Sequence, residues 1–180
     1  YKEFVAFPTW LEEKYKHGII TKTHLSDLLR ISLLARYGGI WLDSTFFCTG
    51  DLQPYFDMPV WSIKRPDYRH VSVACGEFAN YSFGCTTEYR KVFAILREYL
   101  LDYWEHYDYM IDYLFLDYLI VLARKQNDYV NQAFNEIIPN NKNCDELLKV
   151  LGTTFDSSCW EKLKDNTALF KLTWKADFPR

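Results

Sequence analysis

The sequence predicts an α/β domain whose second half is helical. Two observations carry that prediction. Up to residue 86, short apolar runs of strand composition alternate with helical patterns, separated by turn signals. From Thr87 onward, apolar residues recur at helical spacing through several segments, and only ALFKLTWK (168–175) returns to strand composition. The 180 residues suffice for one core, and no repeat, low-complexity tract or linker divides them. One domain is expected over 1–180, with an α/β part over 1–86 and a mainly helical part over 87–180.

The elements follow in order. TWLEEKYKHG (9–18) is a helix in which Thr9 is placed to cap, Glu12 to complete a capping box and Gly18 to end the run. THLSDLLRISLLARYGG (23–39) places Leu25, Leu28, Leu29, Ser32 and Leu33 at helical spacing and closes at Gly38. Ile40–Leu42 then reads as a short buried strand. VWSIKR (60–65), VSVAC (71–75) and NYSFGC (80–85) have strand composition, with RPDYRH (65–70) as a polar loop. TEYRKVFAILREYLLDYWEHY (87–107), DYMIDYLFLDYLIVLARKQ (108–126) and DYVNQAFNEII (128–138) are expected as three helices, and DELLKVL and SCWEKLK as two short ones.

Composition excludes several classes. A net charge of −3 gives no basic footprint for nucleic acid. No apolar run approaches the roughly 18 residues of a membrane span, and YKEFVAFPTW lacks the basic-then-apolar pattern of a signal peptide. The five cysteines are scattered, without a CxxC pair, and read as free buried thiols of a reducing compartment. The four histidines form no ligand pair at metal spacing. Nucleophilic triads, a P-loop and GxGxxG are lacking, and no two acids stand out as a hydrolase pair. Aromatic residues make up 18% of the chain, so rings fill the core or serve a binding surface.

RYGGIWLDSTFF (36–47) delivers one carboxylate, Asp43, at the end of a short strand. In open α/β sheets ligands bind beyond the carboxyl ends of central strands. Gly38 and Gly39 leave room for a ligand or a neighbouring backbone. A carboxylate so placed can accept from a ribose hydroxyl or hold a divalent cation against a diphosphate. Asp-Ser-Thr is equally good turn chemistry. Asp27 and Arg30, three apart, share a helix face. Either they meet Asp43 in one crevice, or they form an ordinary intrahelical pair worth about 0.5 kcal/mol or less. Glu77 and Asn80 lie between two expected strands, where an acceptor or a simple turn would fit. Tyr103, Trp104, Tyr107 and Tyr113 are either stacking platforms for sugar rings or core.

SDLLRISLLARYGGIWLDST (26–45) resembles the signature of DXD-type sugar transferases, in which Ser-Asp-x-x-Arg precedes Tyr-Gly-Gly-x-Tyr/Trp-x-Asp. That group includes the yeast outer-chain mannosyltransferase and the clostridial glucosylating toxins. The segment is still more similar to the bacterial capsular polysaccharide synthesis protein family. NYSFGC, DYWEHYDYMIDYLFLDYLI and FKLTWK resemble later segments of that family in the same order, so the likeness spans nearly the whole chain.

The resemblance implies a GT-A-like nucleotide-diphospho-sugar transferase fold, with 1–86 on the donor side and 87–180 on the acceptor side. The N-terminal βαβ unit of such a fold is expected to be missing, since the chain starts just before the first helix. The implied activity is transfer of a hexose from a nucleotide-diphospho-sugar, a UDP-sugar first of all. The implied acceptor is a glycan or lipid-linked, and the setting is bacterial surface-polysaccharide synthesis. Location in the cytoplasm, with peripheral attachment to the inner face of the membrane, goes with it. Asp43, Arg30 and Asp112 make up the implied catalytic set. Asp27, Arg30, Gly39, Asp43, Thr45 and Asn80 make up the donor-binding set. Asp43 is the first acid of the DXD motif and the implied ligand of Mn²⁺ or Mg²⁺. Thr45 replaces the second acid, and a neutral hydroxyl is the weaker ligand. Arg30, Lys22 or the cation would offset the diphosphate charge. Asp112 matches the family's Ile-Asp-Tyr and would orient the acceptor or take its proton. Asp117 stands where relatives often carry histidine. A non-catalytic nucleotide-sugar-binding module on the same fold is the alternative.

Overall fold

Helix α1, Thr9–Lys16, starts from Pro8, whose fixed φ of −55° suits a helix entry. Thr9 is therefore already helical, and the expected capping box does not form; Glu12 pairs instead with Lys2 at 2.9 Å. Helix α2, Lys22–Tyr37, is capped by Thr21, whose side chain accepts from the His24 N–H. It buries His24, Asp27, Leu28, Ile31 and Leu34, one stripe at three- and four-residue spacing. Gly38 ends it, donating its N–H to Leu34 O at 2.9 Å. Gly38 and Gly39 both have φ in the left-handed region, +69° and +83°, and the chain reverses there into β1, Gly39–Leu42.

The computed structural model describes residues 2–68 and 72–175, and among them the fold is mixed α/β with eight α-helices and two small antiparallel sheets. Strand β2 is Phe46–Cys48, α3 is Gln53–Phe56, β3 is Val60–Ser62 and β4 is Ser82–Cys85. The first sheet has the order β1-β4-β3, with Ile40 opposite Gly84 and Leu42 opposite Ser82. Helices α4 (Arg90–His106), α5 (Phe115–Gln126), α6 (Asp128–Asn135), α7 (Glu146–Val150) and α8 (Ser157–Lys164) follow. Strand β5, Leu169–Lys171, is the last strand among the described residues and pairs with β2.

Leu28 and Ile31 of α2 share one core with Phe93, Leu96, Ile120 and Phe134 of α4, α5 and α6. The C-terminal carbonyls of α4 are held by Lys14 of α1, which donates to Trp104 O, to Glu105 O at 3.3 Å and to Tyr107 O at 3.1 Å. A cation at that end also suits the helix dipole. A smaller core joins Trp61, Ile63, Ala79, Cys144 and Leu169 between the two sheets. Asn141 fixes the closing strand there, its side-chain oxygen accepting from Ala168 N and Leu169 N at 2.9 Å each.

Four expectations are corrected. Ile40–Leu42 is a half-buried edge strand, not a buried central one, because β4 takes the middle of the sheet. Ser72–Cys75 makes bends and turns instead of a strand; Cys75 has φ +51°, which a strand cannot accommodate, and Val71 lies outside the described residues. The helix expected from 108 begins only at Phe115. Tyr107–Tyr113 is exposed, and Asp112 accepts from Leu114 N at 2.7 Å, a side-chain turn that competes with the helix. Of the free cysteines, Cys48 and Cys75 are exposed and only Cys85 and Cys144 are buried.

The two glycines predict different costs. A Cβ at Gly38 would stand 2.9 Å from Cys85 O, whereas at Gly39 it would meet nothing within 4 Å. Gly39→Ala should cost only the left-handed conformation, about 1–2 kcal/mol. Gly38→Ala should cost that plus a backbone displacement, measurably more in urea unfolding, and equal midpoints would contradict the tight α2–β4 approach.

Candidate functional site

Helix α2, the end of β1, the residues before β4, the start of α5 and strand β5 surround one cleft of about 960 Å³. Arg30 is its organising cation. Its side chain is 7% exposed, as is that of Asp27. Nη2 lies 3.4 Å from Asp27 Oδ1 and 3.5 Å from Asp43 Oδ1, and Nη1 donates to Asn80 O. The guanidinium stacks over Trp41 at 5.5 Å. Trp41 Nε1 in turn donates to Asp43 Oδ1 at 3.2 Å. The backbone of Asp43 is pinned as well, its N–H donating to Tyr81 O and its carbonyl closing a turn to Phe46 N. Asp43 therefore has its position fixed on the β1 side, while its side chain stays 31% exposed to the cleft.

Strand β5 brings a second cation. Lys171 Nζ donates to Thr45 Oγ1 and lies 3.5 Å from Asp43 Oδ2, and the Phe46 and Tyr81 rings flank it at 5.6 and 5.4 Å. Opposite, Asp117 of α5 is buried with Oδ1 lacking a hydrogen-bond partner. Burial pushes its carboxyl up to about 6, eased by a hydrogen bond from the Asn80 side chain and reinforced by Asp27. Asp27 is also pushed up to about 6 by burial, against the pull of Arg30.

The cleft thus gathers Asp27, Arg30, Asp43, Thr45 and Asn80, together with Lys22. Gly39 is not on its wall, and its part is the chain reversal. Asp112 does not line the cleft either: it caps the exposed turn, and the neighbouring acid that reaches the cleft is Asp117. Glu77 pairs with Lys64 at 2.8 Å, off the cleft. Trp104 is fully buried core, Tyr103 packs on Phe115 at 4.4 Å, and of that ring stripe only Tyr113 reaches the cleft wall. Lys171 was not singled out by sequence. Its only signal was its place in FKLTWK.

The residues do not fit a divalent cation. Asp43 Oδ1 faces Arg30 and the Trp41 N–H, Asp43 Oδ2 faces Lys171, and the Thr45 hydroxyl accepts from Lys171. Both groups that the DXD resemblance offers as ligands are already met by positive charge. Among the described residues no three or more His, Cys, Asp or Glu side chains are grouped to hold a metal.

The family model of the capsular polysaccharide synthesis protein matches residues 1–180, the whole chain. The chain belongs to this family. Membership connects it with capsular polysaccharide synthesis, as the resemblance carried by residues 26–45 had implied. No curated protein and no solved structure matches it.

The two raised acids set a pH dependence. A carboxyl that keeps its proton to about 6 in the fold but releases it near 3.8 when unfolded costs nothing below 3.8. Stability then falls as the pH rises to 6 and stays lower above it. For Asp117 that displacement amounts to about 3 kcal/mol at most. Asp117→Asn should raise the melting temperature at pH 8 and leave it nearly unchanged at pH 4. Equal melting shifts at both values would show that burial does not hold the proton.

Proposed function

We propose that the chain is a glycosyltransferase of capsular polysaccharide synthesis that takes its sugar from a nucleotide-diphospho-sugar, with the donor seated in a GT-A-like manner. The convergence of Asp27, Arg30 and Asp43 in one cleft carries this reading. An isolated intrahelical pair would not need a third charge from the end of β1.

In this arrangement Asp43, held by Arg30 and Trp41, accepts hydrogen bonds from sugar or ribose hydroxyls of the donor. Arg30 positions both acids rather than gripping the donor, since its two terminal nitrogens are committed to protein oxygens. Asn80 bridges the two sides, giving its carbonyl to Arg30 and its side chain to Asp117. Asp117, titrating near 6, is matched to receive the acceptor hydroxyl's proton close to neutral pH. The role first assigned to Asp112 passes to it, because Asp117 lines the cleft and Asp112 does not. In the transfer the bond from sugar C1 to the diphosphate oxygen breaks, with its electron pair leaving on the diphosphate. The acceptor oxygen bonds to C1 and loses its proton. A UDP-sugar is the first donor to test, and a glycan or lipid-linked molecule is the acceptor class. No helix among the described residues is long and apolar enough to cross a membrane. A peripheral place at the cytoplasmic face of the membrane is part of the proposal.

The test is a melting-temperature screen with UDP-, GDP- and CMP-sugars, followed by release of the nucleotide. A UDP-sugar should raise the melting temperature. Asp43→Asn should reduce nucleotide release about 10- to 100-fold, since hydrogen bonds to a charged group are worth about 1.5–3 kcal/mol. No thermal response to any nucleotide sugar would sink the proposal.

A further inference from the structure

We infer that Lys171, docked between Thr45 and Asp43, is a built-in cation that stands where a divalent metal would serve the donor diphosphate, so that the cleft works without a metal. The inference rests on the proposed donor site.

Its first ground is the disagreement between motif and geometry. The carboxylate and hydroxyl of Asp-Ser-Thr are both engaged by the Lys171 ammonium. A metal at Asp43 would have to displace that ammonium and also settle beside Arg30, itself 3.5 Å from Asp43. Such crowding of positive charge disfavours the metal.

The second ground is how firmly Lys171 is held. Phe46 and Lys171 are opposite each other in the β2–β5 register. Lys171 N donates to Cys144 O at 2.8 Å, and Leu172 N to Thr45 O at 2.9 Å. The backbone next to the lysine, at Leu172, is thus tied directly to Thr45, the residue its ammonium contacts. Its side chain is only 22% exposed, yet it lies on the cleft wall, so the charge is partly dehydrated and still open to a ligand. An ammonium of this kind is a preorganised partner for charge that develops on a leaving group. As the bond from C1 to the diphosphate oxygen breaks, the electron pair goes to that oxygen and Lys171 offsets it electrostatically. No proton or electron need pass to the lysine.

The experiment compares wild type, Lys171→Met and Lys171→Arg in EDTA and in Mn²⁺. It follows nucleotide release from the UDP-sugar, and UDP binding by calorimetry. Wild type is expected to release nucleotide and bind UDP as well in EDTA as in Mn²⁺. In EDTA, Lys171→Met should lose about 100-fold in release, the scale of one preorganised group, and should bind UDP more weakly. Lys171→Arg should keep most of both. Mn²⁺ should restore part of the methionine variant's activity, because Asp43 and Thr45 are then vacated; a purely structural lysine would show no such rescue. Wild-type release that disappears in EDTA and returns with Mn²⁺ would overturn the inference and leave the transferase standing. If wild type releases nothing yet binds UDP in EDTA through Lys171, the transferase reading falls and the built-in cation stands. Wild type that binds no UDP in EDTA, or a methionine variant that matches wild type there, overturns the inference.

Discussion

A buried guanidinium is the constraint on which the site depends. Arg30 lies almost wholly inside the protein, where an unpaired charge would cost several kcal/mol. Its compensation comes from three separate places: Asp27 one turn back on the same helix, Asp43 past the end of β1, and the carbonyl of Asn80 before β4. None of these can move far without stranding the charge. The Gly38–Gly39 reversal follows from this need, because only a tight turn returns the chain from α2 quickly enough to set Asp43 beside Arg30. The neighbouring sheet adds its own demand, since Gly38 lies against the Cys85 carbonyl.

Around that cation the charges are unequal. Asp27, Asp43 and Asp117 share the cleft wall with Lys22, Arg30, Arg65, Lys171 and Lys175, and burial keeps Asp27 and Asp117 reluctant to ionise at mildly acidic pH. An anionic ligand entering such a place meets an excess of cations, with repulsion only from acids that are neither partnered nor protonated. Asp43 is partnered on both of its oxygens. In the proposed reading a diphosphate is admitted on the Lys171 side, and hydroxyls are read on the Asp43 side. That reading divides the work of the cleft by geometry, with the least exposed of the three acids, Asp27, left to hold the arginine.

Much of this was legible because it is local. The spacing of Asp27 and Arg30, the glycine pair and the single acid after an apolar run lie within seventeen residues; helical periodicity puts Asp27 and Arg30 on one face, and the family resemblance of this segment is what joined Asp43 to them. The aromatic stretch misled for a physical reason. Its apolar spacing continues the helical period through Ile111, but Asp112 bonds the backbone two residues on and breaks the helix. That moves the acid on the cleft wall from Asp112 to Asp117. VSVAC misled because strand composition says nothing of a left-handed residue such as Cys75. The place of β1 at the sheet edge was equally hidden, since strand order is a property of the whole chain.

Lys171 shows where local rules end. It lies 126 residues from Thr45, and no pattern near it announces a partner. It arrives by pairing of β5 with β2, and that pairing is itself anchored by Asn141 and by the small core around Trp61 and Leu169. Arg30 and Asp43 come from one local segment, α2 and β1, with β1 held in place by β4. The second cation is added only when the last strand is in place. Contacts of such long sequence separation bear a loop-closure cost before they return any stability. The site is therefore complete only in the fully folded chain: one half is written in a single motif, and the other is supplied by the end of the domain closing over it.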